Sequence, residues 1–222
     1  FLFPLHLLEV MLRNRINEIF VSDFGENWPN EKNFRLILNP ESLGSLDIAI
    51  SRSKSNRTED IVSTLSFDFW SNLFRDEYDR SLWQTNMGKL TPFHSGETRK
   101  SFQNKIKIIN KFRNRVAHHE PLWKFTEIIH PVTGQQIYPF AQDPTESILR
   151  MDTLHSRLCT LLSWISKDRE NDYINSHYYK NFKWLCREET IENFKKINIT
   201  PKFTISTTKR NLSNILKNHS IF

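Results

Sequence analysis

The densest gathering of reactive side chains lies between Lys111 and Trp123, where the chain reads KFRNRVAHHEPLW and sets Arg113, Asn114, Arg115, His118, His119 and Glu120 close together. An imidazole can take or give a proton at neutral pH. A guanidinium stays charged and grips phosphate oxygens in a planar fork. The two groups together suit cleavage of an RNA strand. A base removes the 2′-hydroxyl proton, the freed oxygen attacks the adjacent phosphorus, and cations steady the charge that develops. The ordinary alternative is that a histidine in a last helical turn answers the helix dipole and that the arginine pairs with a nearby acid.

Which groups can meet depends on the helix that carries them. Phe102, Ile106, Ile109, Phe112 and Val116 recur at steps of three or four, one buried face of a helix. Pro121 pushes Glu120 out of the helical region, so the helix must stop at about His118 or His119. On an unbroken helix Arg113 and His118 point about 140° apart, at roughly 100° per residue, whereas Asn114 and His118 share a face. A loosened last turn lets the imidazole swing toward the guanidinium. The spacing gives R-x4-H with His118 and R-x5-H with His119. It does not choose between them, and His118 is favoured. A weaker echo stands near the start, where Glu9 and Arg13 share a face and Asn14 adjoins them. Glu9 inside LLEVML is costly to bury unpaired, so it is expected to orient Arg113 or Arg13. A plain surface ion pair, worth at most about 0.5 kcal/mol, is the competing expectation.

Other chemistries lack their residues. His118 and His119 diverge by about 100° on a helix, and no HxxxH, HExxH or Cys/His set accompanies them, so no metal and no cofactor is expected. His94, His130 and His155 are scattered and read as ordinary. Neither GxGxxG nor GxxxxGK[ST] occurs, and no GxSxG elbow suggests a serine hydrolase. Cys159 and Cys186 have no CxxC spacing, which makes a reducing, cytoplasmic setting the default. No apolar run reaches the 18 or so residues that span a bilayer, and FLFPLHLLEV has neither a basic flank nor a cleavage site, so no membrane partner is expected. The apolar, helix-like opening on Phe1 suggests a chain lacking its natural N-terminus.

Five glycines in 222 residues favour helices over tight turns. Leu5, Leu8, Leu12, Ile16 and Ile19 mark a first helix ending near Ser22. GENWPNEKN reads as loop, and residues 39–56 show no clear period. A second helix is expected from Thr58 as cap, with Val62, Leu65, Phe69 and Leu73 inward; Phe67, Trp70, Phe74 and Trp83 read as core. FTEIIHPVTGQQIYPF, from Phe125 to Phe140, reads as a hairpin around a Pro-Val-Thr-Gly turn. Asp143, Pro144 and Glu146 then supply an N-cap, a first-turn proline and a capping-box acid for a long helix, with Ile148, Met151, Leu158, Leu161 and Ile165 inward. One or two shorter helices are expected between Tyr173 and Leu216.

Charge is balanced from Phe1 to Tyr179, at 22 basic and 22 acidic residues, whereas Lys180 to Phe222 carries nine basic and three acidic ones. Two domains are therefore expected, residues 1–179 and a basic, mostly helical extension, 180–222. Lys180, Lys183, Arg187, Lys195 and Lys196, with Arg115, are the candidate RNA-binding cations, and Phe182, Trp184, Phe194 and Phe203 could stack on unpaired bases. A solvated helical face over core aromatics is the equal alternative.

Three blocks together, LLEVMLRNRINEIF followed by FGENW, then LSFDFWSNLFRDEY, then RNRVAHHEPLW, resemble the Abi-like (abortive infection) proteins of the HEPN superfamily, from about Leu5 to Trp164. The resemblance implies an all-α, HEPN-like helical bundle, here with the small β-hairpin inserted, and a metal-independent RNase site at a homodimer cleft. It implies Arg113 and His118 as motif residues, Asn114 as the polar residue after the arginine, and His119 as the alternative imidazole. Family members often begin with a further helical stretch. A toxin-like antiphage role follows, with an antitoxin protein or a regulatory RNA as a possible partner. A non-catalytic RNA-binding module and a helical interaction protein of the same fold remain the alternatives.

Overall fold

A computed structural model describes residues 1–122, 124–125, 128–129 and 136–196. The protein is all-α apart from one pair of very short strands. Helix α1 (Leu2–Phe24) runs two residues past the expected end and stops at Gly25, whose φ of 90° suits a residue without Cβ. Its stripe of Leu5, Leu8, Leu12, Ile16 and Ile19 is buried. Next come α2 (Lys32–Ile37) and α3 (Pro40–Arg52), in stretches expected to be irregular. Asn39 caps α3, its side chain accepting from the Ser42 amide at 2.8 Å, and Pro40 opens the helix. Trp28, expected in loop, is fully buried against Phe20 and Phe34, and its Nε1 donates to Asn17 at 2.8 Å.

The single helix expected from Thr58 to Leu73 is two helices, α4 (Thr58–Thr64) and α5 (Phe67–Asn72). The chain extends at Leu65 and Ser66, where the Ser66 hydroxyl caps α5 by accepting from the Phe69 amide. Thr58 is not the cap of α4. Arg57 holds that position, and the Thr58 hydroxyl donates to the Glu26 carbonyl at 2.6 Å. Phe67, Trp70, Phe74 and Trp83 are buried, as core packing requires. A 3-10 turn (Asp76–Tyr78), a π-helical turn (Asp79–Trp83) and α6 (Met87–Leu90) lead into α7 (Arg99–Ala117), capped by Thr98.

Arg99, 7% exposed, is a buried node: it donates to the Asp79 and Asp76 carboxylates at 2.9 and 2.7 Å, the Phe74 carbonyl at 2.6 Å and Gln103 at 3.0 Å. The node fastens the turn after α5 to the start of α7. Beyond α7 the strands Ile128–Ile129 and Gln136–Tyr138 pair antiparallel. The intervening turn of the expected hairpin lies outside the described residues. The long helix α8 (Pro144–Ile165) starts with its capping box, Asp143 accepting from the Glu146 amide at 2.8 Å and Glu146 from the Gln142 amide at 2.7 Å. Three shorter helices follow, α9 (Lys167–Ile174), α10 (His177–Leu185) and α11 (Glu188–Lys196). α10 runs through the boundary expected after residue 179. α1 packs on α5, α6, α7 and α8. Among the described residues no helix is long and apolar enough to cross a membrane.

α10 is held to α8 by His155. This imidazole is 1% exposed, stacks on Phe182 at 4.0 Å and shares a 2.7 Å hydrogen bond between Nε2 and the Tyr173 hydroxyl. Burial pushes its pKa down to about 4, against a smaller upward pull from Asp152.

Two stability measurements follow. Arg99→Met leaves the Phe74 carbonyl without its donor and two carboxylates uncompensated, so urea unfolding should show a loss of about 2–3 kcal/mol. Unfolded, the His155 imidazole titrates near pH 6.5, and folded it stays neutral down to about 4, so between those values the unfolded chain binds more protons. Stability should therefore fall by up to roughly 3 kcal/mol as pH drops through that window, with no contribution above it. The pH profile of the urea midpoint should lose this component in His155→Gln.

Candidate functional site

The candidate site forms where α7 ends against α1. The last turn closes as a Schellman motif: the His119 amide donates to the Val116 carbonyl at 3.2 Å and the Glu120 amide to the Arg115 carbonyl at 2.9 Å. His118 is the C-cap, and His119 takes the left-handed residue position at φ 55°. Glycine or asparagine usually fills that position, and histidine is among the side chains that tolerate it better than most. Both imidazoles are exposed, and neither makes a hydrogen bond or ion pair among the described residues.

Arg113 sits half-buried one turn earlier. Its Nε lies 3.5 Å from the Glu9 carboxylate of α1, and its Nη1 donates to the Asn114 side-chain oxygen at 3.3 Å. Of the two partners open to Glu9, the fold provides Arg113. Arg13, one turn along α1 from Glu9, keeps a buried Nε with no acceptor among the described residues. An unmet buried donor costs about 1–3 kcal/mol, so hydrogen bonding here is incomplete within one chain. Asn14 is exposed. Glu9, Arg113 and Asn114 are thus brought together, while neither imidazole bonds to Arg113 within the chain.

Arg115 has a different place from that expected of an RNA-binding cation. Its Nη2 donates to the carbonyls of Pro121 and Lys124 at 2.5 and 2.8 Å, and its Nε lies 3.4 Å from Glu120. It straps the chain leaving α7 back onto the helix end. Lys183 is likewise engaged, at 2.5 Å from Asp152, and that hydrogen bond raises its pKa. Lys180, Arg187 and Lys196 are exposed, and Lys195 is carried by α11. Phe182 packs on His155 and on Phe1, so it belongs to the core rather than to a stacking platform. The aromatic groups beside α7 are instead Phe125 and Phe140, which the spacing marks only as flanks of a turn.

No other chemistry is assembled. Burial pushes the Cys159 thiol up to about 12 and the Cys186 thiol up to about 11, so both stay protonated and weakly nucleophilic at neutral pH. Among the described residues no group of three or more His, Cys, Asp or Glu side chains could hold a metal ion. No protein family, curated protein or solved structure matches the chain.

The left-handed backbone at His119 carries its own test. Replacing a side chain that resists φ 55° by glycine relieves strain of about 1 kcal/mol, partly offset by the freer unfolded chain. His119→Gly should hold or slightly raise the thermal midpoint, whereas His119→Val, β-branched at the same φ, should lower it by several degrees.

Proposed function

We propose that the protein is a metal-independent endoribonuclease of the Abi-like HEPN kind, acting on RNA as a homodimer in an abortive-infection or toxin-like defence system. The observation that carries the reading is the convergence at the end of α7. Glu9 of α1 holds Arg113, and the helix then breaks to leave two unbonded imidazoles in solvent. In the reaction, one imidazole removes the 2′-hydroxyl proton and O2′ forms a bond to the adjacent phosphorus. The P–O5′ bond breaks, and the departing oxygen takes a proton from an acid at the site, a second imidazole or water. The products are a 2′,3′-cyclic phosphate and a 5′-hydroxyl. The Arg113 guanidinium steadies the charged phosphorane, while Glu9 and Asn114 fix its orientation. Arg13, with its unmet buried donor, adds a second cation beside Glu9. A second copy supplies what one chain lacks, imidazoles facing arginines across the cleft, and an antitoxin protein or regulatory RNA holds the enzyme dormant.

A specific observation favours a second reading, a non-catalytic RNA-binding module of the same fold. The Arg113 guanidinium is already shared between Glu9 and Asn114 and bonds to no imidazole.

One experiment separates the two. Purified protein incubated with total RNA in EDTA should release fragments ending in 2′,3′-cyclic phosphate. Arg113→Ala and His118→Ala, checked as folded by circular dichroism, should each lower the rate at least about 100-fold. Undiminished cleavage in both variants sinks the proposed site. Salt-sensitive RNA affinity without products, weakened more by Lys180→Glu with Arg187→Glu than by His118→Ala, establishes the binding module.

A further inference from the structure

Beside the end of α7 opens a cleft of about 580 Å3, walled by Lys124, Phe125, Phe140, Pro144, Ile148 and Met151. Its size falls within the roughly 300–1,000 Å3 of small-ligand sites. Phe140 is 53% exposed at its mouth, so an aromatic face stands without cover. The two walls are fixed to each other and to the candidate site. The Ala141 amide donates to the Phe125 carbonyl at 3.4 Å, and Arg115 of α7 holds the Lys124 carbonyl at 2.8 Å.

The charge around the cleft is positive once internal pairs are discounted. Asp143 and Glu146 serve the capping box of α8, Glu146 also pairs with Arg150, and Glu120 pairs with Arg115. Lys111 and Lys124 are exposed and have no ion pair among the described residues. A planar apolar slot with uncompensated ammonium groups beside it complements a flat ring joined to a negative backbone. A peptide side chain would use the slot and leave the lysines unanswered.

We propose that this cleft receives one unstacked base of the RNA strand, next to the phosphate handled at the end of α7. The base lies against the Phe140 ring, and Lys124 meets the flanking phosphate. Every base has a π face, so the cleft selects unpaired over paired RNA without fixing base identity. The proposal rests on the RNA reading above, and it identifies that substrate as single-stranded.

The test measures binding of a short unpaired 2′-O-methyl RNA, which cannot be cleaved, by fluorescence anisotropy with the full chain. Phe140→Ala and Phe140→Leu should each raise Kd roughly 5- to 100-fold, the span of one base–aromatic stack, and Phe140→Trp should restore it. An abasic position in the strand should weaken binding to the wild type and add no further loss in Phe140→Ala. The corresponding duplex should bind weakly and show no response to Phe140. If the wild type binds the strand and Phe140→Ala binds it equally well, the base cleft is overturned and the ribonuclease reading stands. If Phe140→Trp loses as much as Phe140→Ala, stacking is overturned. If the wild type binds no RNA, both proposals fall.

Discussion

Burial of one face of α1 is the constraint on which the candidate site depends. Leu8, Leu12 and Ile16 are wholly excluded from water, and each such side chain contributes about 1.5–3 kcal/mol when moved from solvent into the core. The helical period then leaves no freedom for the residues at the edge of the stripe. Glu9 follows Leu8 and falls where the core meets α7, half-buried and within reach of Arg113. A rotation of α1 that moved Glu9 would carry the leucines into water. The charge arrangement at the end of α7 is therefore set by apolar packing more than by the ion pair, whose partly exposed geometry is worth under about 1 kcal/mol.

Much of this was legible before any coordinates, and the misses have physical causes. α1, α7 and α8 each show apolar side chains every three or four residues, and their buried faces coincide with those positions. α3 was hidden because its inward positions include Ser42 and Ala49, small residues that give no apolar period, although Asn39-Pro40 is a start signal. The break between α4 and α5 was hidden for the opposite reason. Apolar residues continue through Leu65 and Phe67, while the Ser66 cap divides them into two short helices. Arg99 could not be read as a node because its acceptors come from a turn more than twenty residues away.

At the site the same division holds. The Pro121 stop is a local steric rule, so the end of α7 was foreseeable. The left-handed His119, the Arg115 strap and the choice of Arg113 by Glu9 depend on where the chain goes next, which spacing alone does not contain. The basic segment after residue 179 shows the same limit. Its charge excess is real in composition, yet Lys183 is neutralised by Asp152 and Phe182 is anchored on the buried His155, so its first turns are part of the bundle. The cations left in solvent there are Lys180, Arg187 and Lys196 among those with described surroundings.

The backbone at His119 also bears on how its tolerance to substitution should be understood. Only a short alphabet of side chains sits comfortably at φ 55°, chiefly glycine and asparagine, with aspartate and histidine next. Variation at this position would register the geometry of a helix ending first and proton chemistry second. His118, in an ordinary right-handed conformation one residue earlier, is under no such restriction. A narrow choice of residues at 118 would speak for chemistry, and the same narrowness at 119 would not.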